Sequence, residues 1–374
     1  MKRWSVVAAL AAVASCATPD ASLAPGAGEP ALDRASSNAP LYMVTLRDEV
    51  ADVRAVAREL GVRGGFAATA IREHAARGFD AVIPPSALAM VRSDPRVLIV
   101  QEDGIVTLRL PREVARPGGG GGGQTTPWGI TRVGGAGDGT GKTAWIIDSG
   151  IDLDHPDLNT SRACHVNFTT GQTPDDGNGY GTLVAGTVAA KNNGQDVVGV
   201  AANAYVCAVR VLGNSGSGQW SWVINGINYV AANGTNGEVA NMSLGASGSN
   251  ATLEKAVTDA AAKGIKFVLA AGNDGAHASG FTPARVNGAN IYTISAVNSS
   301  NCMASWSNYG NPPVDYAAPG VSILSTRKGG GTTTMSGTSM AAPHVAGVLL
   351  LGSIRGDGTA SCDPDGNPDP IAHR

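Results

Sequence analysis

The chain has 374 residues, 43% of them hydrophobic and 15% charged, with a formal net charge of −3. That is material for two or three domains with sizeable cores, and it excludes a basic footprint for nucleic acid or a polybasic membrane patch. The 51 glycines predict many tight turns and close backbone approaches.

The N-terminus reads as an export signal. Lys2 and Arg3 precede an apolar run at 6–13 that is too short to span a bilayer. Val13-Ala14-Ser15-Cys16 resembles the lipobox of bacterial lipoproteins, which implies a lipid anchor on Cys16; the alternative is an ordinary signal peptide cut near Ala17. Either way the product is exported: extracellular, periplasmic or tethered to the envelope. Residues 1–16 are thus the signal, and 17–40, rich in Ala, Pro, Ser and Gly, a disordered spacer.

Next comes a compact block at 41–109. It predicts strands at 41–46, 78–83 and 97–101 and helices at 50–60 and 85–93, with Val53, Val56, Ala57 and Leu60 on one helical face. This alternation implies a small open α/β sandwich, an α+β ferredoxin-like domain. Residues 110–123 contain six consecutive glycines and read as a linker, because Gln124 follows where a phosphate-binding loop needs Lys. From 124 to 374, apolar runs at 144–147, 206–211, 239–242, 267–271 and 291–297 alternate with helical stretches such as 220–232 and 253–263. The pattern is that of a doubly wound parallel sheet, with ligands bound at the carboxyl ends of its strands. Asp148, Ser243 and Asn273 stand there. Besides Cys16 there are four cysteines, Cys164, Cys207, Cys302 and Cys362. In an exported chain an even count points to disulfides, with three possible pairings, against buried free thiols as the alternative.

Ala144-Trp-Ile-Ile-Asp148-Ser-Gly-Ile-Asp152 with His155-Pro-Asp157-Leu158 resembles the aspartate block of the subtilisin-like serine proteases. The run Gly337-Thr338-Ser339-Met340-Ala341-Ala342-Pro343-His344 resembles their nucleophile block. Asn241-Met242-Ser243-Leu244-Gly245 and Ala270-Ala271-Gly272-Asn273 resemble their substrate-binding and oxyanion segments. The likeness runs from about 124 to 352, and the block at 41–109 resembles the family's propeptide, an inhibitor and folding helper. It implies acyl transfer, with Ser339 as nucleophile, Asp148 orienting the base, and Asn273 in the oxyanion hole with the Ser339 N–H. The family's order along the chain is Asp, His, Ser.

The departure lies at the histidine. Where the family reads His-Gly-Thr-His-Val-Ala-Gly, this chain reads Tyr180-Gly181-Thr182-Leu183-Val184-Ala185-Gly186. A phenol, with a pKa near 10, has little affinity for a second proton at neutral pH. The six histidines are His74, His155, His165, His277, His344 and His373, and none is placed by its motif to substitute.

The resemblance implies more. A Ca²⁺ site would take Gln124, Asp157 and Asn193 with the carbonyls of Lys191, Gln195 and Val197, a set of oxygen ligands suited to that ion. Gly216, Ser217 and Gly218 would pair with an extended peptide, Trp220 would line an apolar pocket, and Ser243, Leu244, Gly245, Ala270, Ala271 and Gly272 would wall the primary pocket. Cys164 and Cys207 fall on strands the family pairs side by side, which implies one bridge and leaves Cys302 and Cys362 for another. Asp363-Pro-Asp365-Gly-Asn367 reads as turns, and only 35 residues follow Ser339, so the last family helix is expected to be missing or replaced. The function implied is an exported serine endopeptidase precursor, inactive or severely impaired through Tyr180. Its partners are a peptide or protein substrate and its own propeptide. The alternative is a peptide-binding pseudoprotease or propeptide-locked scaffold.

Overall fold

The structure, a computed structural model, describes residues 40–108, the backbone of 116–117, and 123–374. The export signal, all but the end of the spacer, and most of the glycine run lie outside the described residues.

The N-terminal block forms a four-stranded antiparallel sheet. Along the chain come β1 (Leu41–Leu46), α1 (Val53–Gly64), β2 (Ala68–Arg72), β3 (Gly78–Val82), α2 (Pro85–Ser93) and β4 (Val97–Glu102), in sheet order β2-β3-β1-β4. Helix α1 starts three residues later than its apolar spacing predicts, because the Asp52 carboxylate accepts the Ala55 N–H at 2.8 Å and caps it there. It stops at Gly65, whose φ of 69° suits glycine. Strand β2, absent from the sequence reading, is short and lacks a clear period-two pattern. Two further segments leave this sheet: β5 (Ile105–Thr107) and β6 (Arg116–Pro117) pair instead with strands of the large domain. The stretch read as a free linker therefore includes two residues held in a ladder.

The large domain begins with α3 (Trp128–Arg132) and β7 (Thr143–Asp148), then β8 (Val166–Asn167), α4 (Tyr180–Ala189), β9 (Tyr205–Arg210), β10 (Ser217–Gln219) and α5 (Trp220–Asn233). It continues with β11 (Val239–Met242), α6 (Ala251–Ala261), β12 (Lys266–Ala270), β13 (Ile291–Val297), β14 (Val314–Pro319), β15 (Ile323–Thr326), β16 (Thr332–Met335) and α7 (Thr338–Leu351). The tail adds β17 (Arg355–Thr359) and β18 (Pro370–His373). The central sheet runs β17-β18-β14-β13-β12-β11-β7-β9-β8, and all its pairings are parallel except β17 with β18. The tail forms a hairpin that extends the sheet through Ala317↔Ile371.

Both faces are covered. Trp145, Ile147 and Phe267 bury themselves with α5 and α6 on one side, and Ile146, Val268 and Ile294 with α4 and α7 on the other. Each such Ile, Val or Phe side chain contributes roughly 1.5–3 kcal/mol. Disulfides Cys164–Cys207 and Cys302–Cys362 close loops of 43 and 60 residues, each worth about 4 kcal/mol on a chain-entropy account. Cys164 is not on a strand: it lies two residues before β8, whose pairing with β9 brings it beside Cys207.

Candidate active site

Ser339 is the second residue of α7 and is 5% exposed. Proline at 343 has no N–H to give the carbonyl four residues back. That carbonyl, of Ser339, accepts instead from the Ser243 hydroxyl at 2.8 Å, and Asn241 Nδ2 donates to the same hydroxyl at 2.8 Å. The Ser339 hydroxyl donates to the Ser243 carbonyl at 3.1 Å. The motif proline therefore ties the end of β11 to the start of α7. Asn273, just beyond β12, accepts at its Oδ1 from the Thr338 N–H (2.9 Å) and hydroxyl (3.0 Å), which fixes the carboxamide's orientation beside Ser339. Its loop passes through Gly272 at φ 109°, where a Cβ would stand 2.3 Å from Asn308 Nδ2. Asn308 holds that loop, donating to the Ala271 carbonyl and accepting from the N–H groups of Asp274 and Ala276.

Asp148 ends β7 and is fully buried. One carboxylate oxygen accepts the Ser149 N–H at 2.6 Å; the other, Oδ2, has no hydrogen-bond partner. Burial, aided by the charge of Asp176, holds this acid well above the usual carboxylate range. Tyr180 opens α4 and is 1% exposed. Burial raises its pKa far above that of a free phenol; the Ser339 side chain works against that rise without reversing it, and the Asp148 charge adds to it. Aspartate, phenol and serine thus meet at one point, but no hydrogen bond links phenol to aspartate.

Asp176 builds the start of α4. Its carboxylate accepts from the N–H groups of Asn178, Gly179 and Thr182 and the hydroxyls of Ser149 and Thr182, at 2.6–2.9 Å. Gly181 lets α4 approach β7, since a Cβ there would lie 2.0 Å from the Gly150 carbonyl oxygen. Leu183 is completely buried in the core beside α7. The hydrogen bonds that His155, His165, His277, His344 and His373 make, whether as donor or acceptor, stay within their own surroundings and do not reach the side chains of Ser339 or Asp148.

Residues 139–352 match the Subtilase family. The chain belongs to that family. It is 41% identical over 276 residues to alkaline elastase YaB of Bacillus sp. (strain YaB), covering 72% of this chain and 67% of that protein. It is 40% identical over 292 residues to alkaline serine exoprotease A of Vibrio alginolyticus, covering 75% of this chain but only about half (52%) of that one. Among solved structures, a cold-adapted subtilisin-like serine proteinase aligns with a TM-score of 0.57 and 37% identity, over 65% of this chain and 96% of that one.

Within this subtilase the pocket beside Ser339 is lined by Ser243, Leu244, Gly245, Ala270, Ala271 and Gly272, together with Asn273 and Thr338. The glycine-rich edge at 216–218 carries the chain's own β5: Thr107 faces Ser217, Val106 faces Gly218, and the Leu108 N–H reaches the Gly216 carbonyl at 2.9 Å. Trp220 is packed in the core and capped by Gly104 rather than open to a ligand. The N-terminal sheet lies on α5 and α6. The Asp103 carboxylate accepts from the Ser221 N–H (3.0 Å) and hydroxyl (2.6 Å) in the first turn of α5. Asn228 Oδ1 accepts from the N–H groups of His74 and Ala75, and Asp259 from that of Ala76.

The residues expected to hold calcium do come together. The carbonyls of Lys191, Gln195 and Val197 converge on the Gln124 side chain at 2.6, 3.3 and 3.0 Å, and Asn193 Nδ2 and the Val197 N–H donate to Asp157. The carbonyls meet the amino end of the Gln124 carboxamide, and Asn193 likewise turns its Nδ2 to Asp157. Half a turn of both carboxamides would make the donor set wholly oxygen. Asp157 is fully buried, and burial pushes its carboxyl up to about 6. Three converging carbonyls and a desolvated carboxylate fit a hard cation.

Sequence reasoning passed over Asp176 and Asn308. Asp176 carries a local signal, an acid followed by Gly-Asn-Gly just before a helix. Asn308 carries none, because its partners lie more than 30 residues away.

Proposed function

We propose that this subtilase is an exported serine endopeptidase precursor whose Tyr180 stands at the general-base position, leaving peptide hydrolysis absent or severely impaired. The observation that carries the reading is the partnerless Oδ2 of Asp148. A base placed between Asp148 and Ser339 would donate a proton to that oxygen and accept one from the serine hydroxyl. A buried neutral phenol contacts the serine yet leaves the carboxylate unanswered. Asn273 and the Ser339 N–H would still steady an oxyanion, and a set of that kind retains roughly 10³–10⁴-fold catalysis over water without its base.

The N-terminal block is proposed to be the propeptide. Self-cleavage needs the missing base, so residues 105–108 would stay on the edge at 216–218 and keep a substrate out. This pairing favours, as a second reading, a peptide-binding or scaffold role in which another strand displaces β5. Export, with lipidation of Cys16, is part of the same proposal; among the described residues no helix is long and apolar enough to cross a membrane. A Ca²⁺ ion held by Gln124, Asp157, Asn193 and the carbonyls of Lys191, Gln195 and Val197 would brace the loop after α4.

The test is the size of the secreted chain on a gel, with labelling by a serine-directed fluorophosphonate, for the wild type and Ser339→Ala. The expected result is an intact precursor with negligible labelling in both. Cleavage between about 109 and 124 and strong labelling in the wild type, lost in Ser339→Ala, would overturn the reading.

A further inference from the structure

Arg210 closes β9 and is only 6% exposed, yet its guanidinium enters none of the ion pairs among the described residues. Oxygens of neutral groups meet its charge instead. Nη1 donates to the carbonyls of Thr173 (3.0 Å) and Asp175 (2.7 Å), Nη2 to Oδ1 of Asn214 (2.6 Å), and Nε to the Leu212 carbonyl (3.4 Å). These four oxygens belong to two segments, the loop before α4 and the turn before β10. A planar fork of five N–H groups reaches both segments at once, whereas the compact ammonium of lysine is a single point of charge.

Each segment carries that grip onward. Asp175 precedes Asp176, whose carboxylate accepts from Gly179 and Thr182 and so sets the first turn of α4, with residue 180 in it. Leu212 and Asn214 flank Gly213, whose N–H donates to the Ser217 carbonyl (2.8 Å) and whose carbonyl accepts from the Gly216 N–H (2.9 Å), so this turn presents the edge at 216–218. The segments also touch: Asn178 Nδ2 donates to the Asn214 carbonyl at 3.0 Å, and a Cβ on Gly177 would overlap the Asn214 carboxamide. The backbone of Arg210 is itself fixed, opposite Asp148 on β7 and Asn167 on β8. We propose that Arg210 is a positioning residue that yokes the strand edge at 216–218 to the first turn of α4, so that a peptide paired on the edge and residue 180 share one frame. An edge displaced by an ångström from the base position loses alignment with the reacting bond. That consequence rests on the function proposed above; the mechanical yoke does not.

The experiment follows amide hydrogen exchange of the full chain by mass spectrometry, in wild type, Arg210→Lys, Arg210→Ala, Asn214→Ala and Arg210→Ala/Asn214→Ala. Asn214 is exposed, so its single variant is expected to fold. Asn214→Ala, a change in the turn before β10, should speed exchange across 176–182 in the wild type and add nothing once Arg210 is gone, the non-additivity of a shared partner. Arg210→Lys and Arg210→Ala should each speed exchange in both segments by about tenfold or more and spare β11 and α6. Millimolar guanidinium should restore the slow rates in Arg210→Ala, and ammonium at equal ionic strength should not. Equal effects of Asn214→Ala with and without Arg210, wild-type rates in Arg210→Lys, or no rescue by guanidinium would overturn the yoke. In the Tyr180→His chain, Arg210→Lys should both raise KM and lower kcat per fluorophosphonate-titrated site, whereas mere loss of folded molecules changes neither. With the exchange pattern as expected, a Tyr180→His chain that has no turnover would sink the function proposed for position 180 and leave the yoke standing.

Discussion

On the α7 side of the cleft, the carbonyl and hydroxyl of Ser339 and the carboxamide oxygen of Asn273 all have partners. On the α4 side, Asp148 has a buried oxygen with no donor, and Asp157, although both its oxygens accept hydrogen bonds, is pushed up to about 6 by burial. The difference teaches that the nucleophile's surroundings and those of residue 180 are built from different elements and are satisfied independently. The α7 side is held by backbone geometry, chiefly Pro343 and Gly272, which a change at 180 does not disturb. The α4 side keeps its frame through Asp176 and Gly181, yet frame alone cannot supply an imidazole.

The largest effect should come from mending the poorer side. Tyr180→His would place a ring donor against Asp148 and an acceptor against Ser339. Because removal of the base costs about 10⁶-fold in a subtilisin, recovery of at least ~10³-fold is expected in hydrolysis of a fluorogenic peptide. Self-cleavage of the precursor should follow. Leu183→His added to it is expected to give a smaller further change, since Leu183 is core packing. No gain in Tyr180→His, with the fold intact by circular dichroism, would mean that the serine side is not competent either.

Calcium comes next. A site holding the ion at a hundred times its Kd stabilises the fold by about 2.7 kcal/mol. Thermal melts with excess Ca²⁺ should lie several degrees above those with chelator, and Asp157→Asn should remove most of the gap. Coincident wild-type curves would take calcium off the α4 side.

The orphaned acid can be tested by neutralising it. The folded-state pKa of Asp148 lies above its unfolded value, so the folded state binds the proton more tightly. The stability this gives is full below the unfolded pKa, near 4, and is lost as pH rises through the folded pKa. Asp148→Asn removes that loss, so it should stabilise the Tyr180 chain by about 1–3 kcal/mol at pH 8 and by little at pH 4. In Tyr180→His the same change should abolish the recovered turnover. Destabilisation by Asp148→Asn at pH 8 would show that the carboxylate has a partner after all.

The smallest effect concerns the cover. Asp103 accepts two hydrogen bonds in the first turn of α5, where a negative charge also meets the positive end of the helix dipole. Asp103→Ala should cost roughly 0.5–2 kcal/mol, seen as faster cleavage of the N-terminal block by an added protease. An unchanged rate would leave the other contacts, such as Asn228 and Asp259, as the effective clamp.

The sequence by itself determined the fold class, the family and the positions of Asp148, Tyr180, Asn273 and Ser339. These rest on short motifs and local periodicity, which a linear string preserves. It also placed α1, α2 and the strands at 41–46, 239–242 and 291–297, where burial pattern and element length agree. Only the tertiary structure decided what meets what. That β5 leaves its own sheet for the edge at 217–219, that the tail becomes two strands beside β14, and that Asn308 holds the loop before Asn273 all depend on partners tens to hundreds of residues away. The orphaned oxygen of Asp148 belongs to the same class. Whether a buried acceptor finds a donor is settled by the last ångström of packing between β7 and α4, and no residue pattern along the chain encodes that distance.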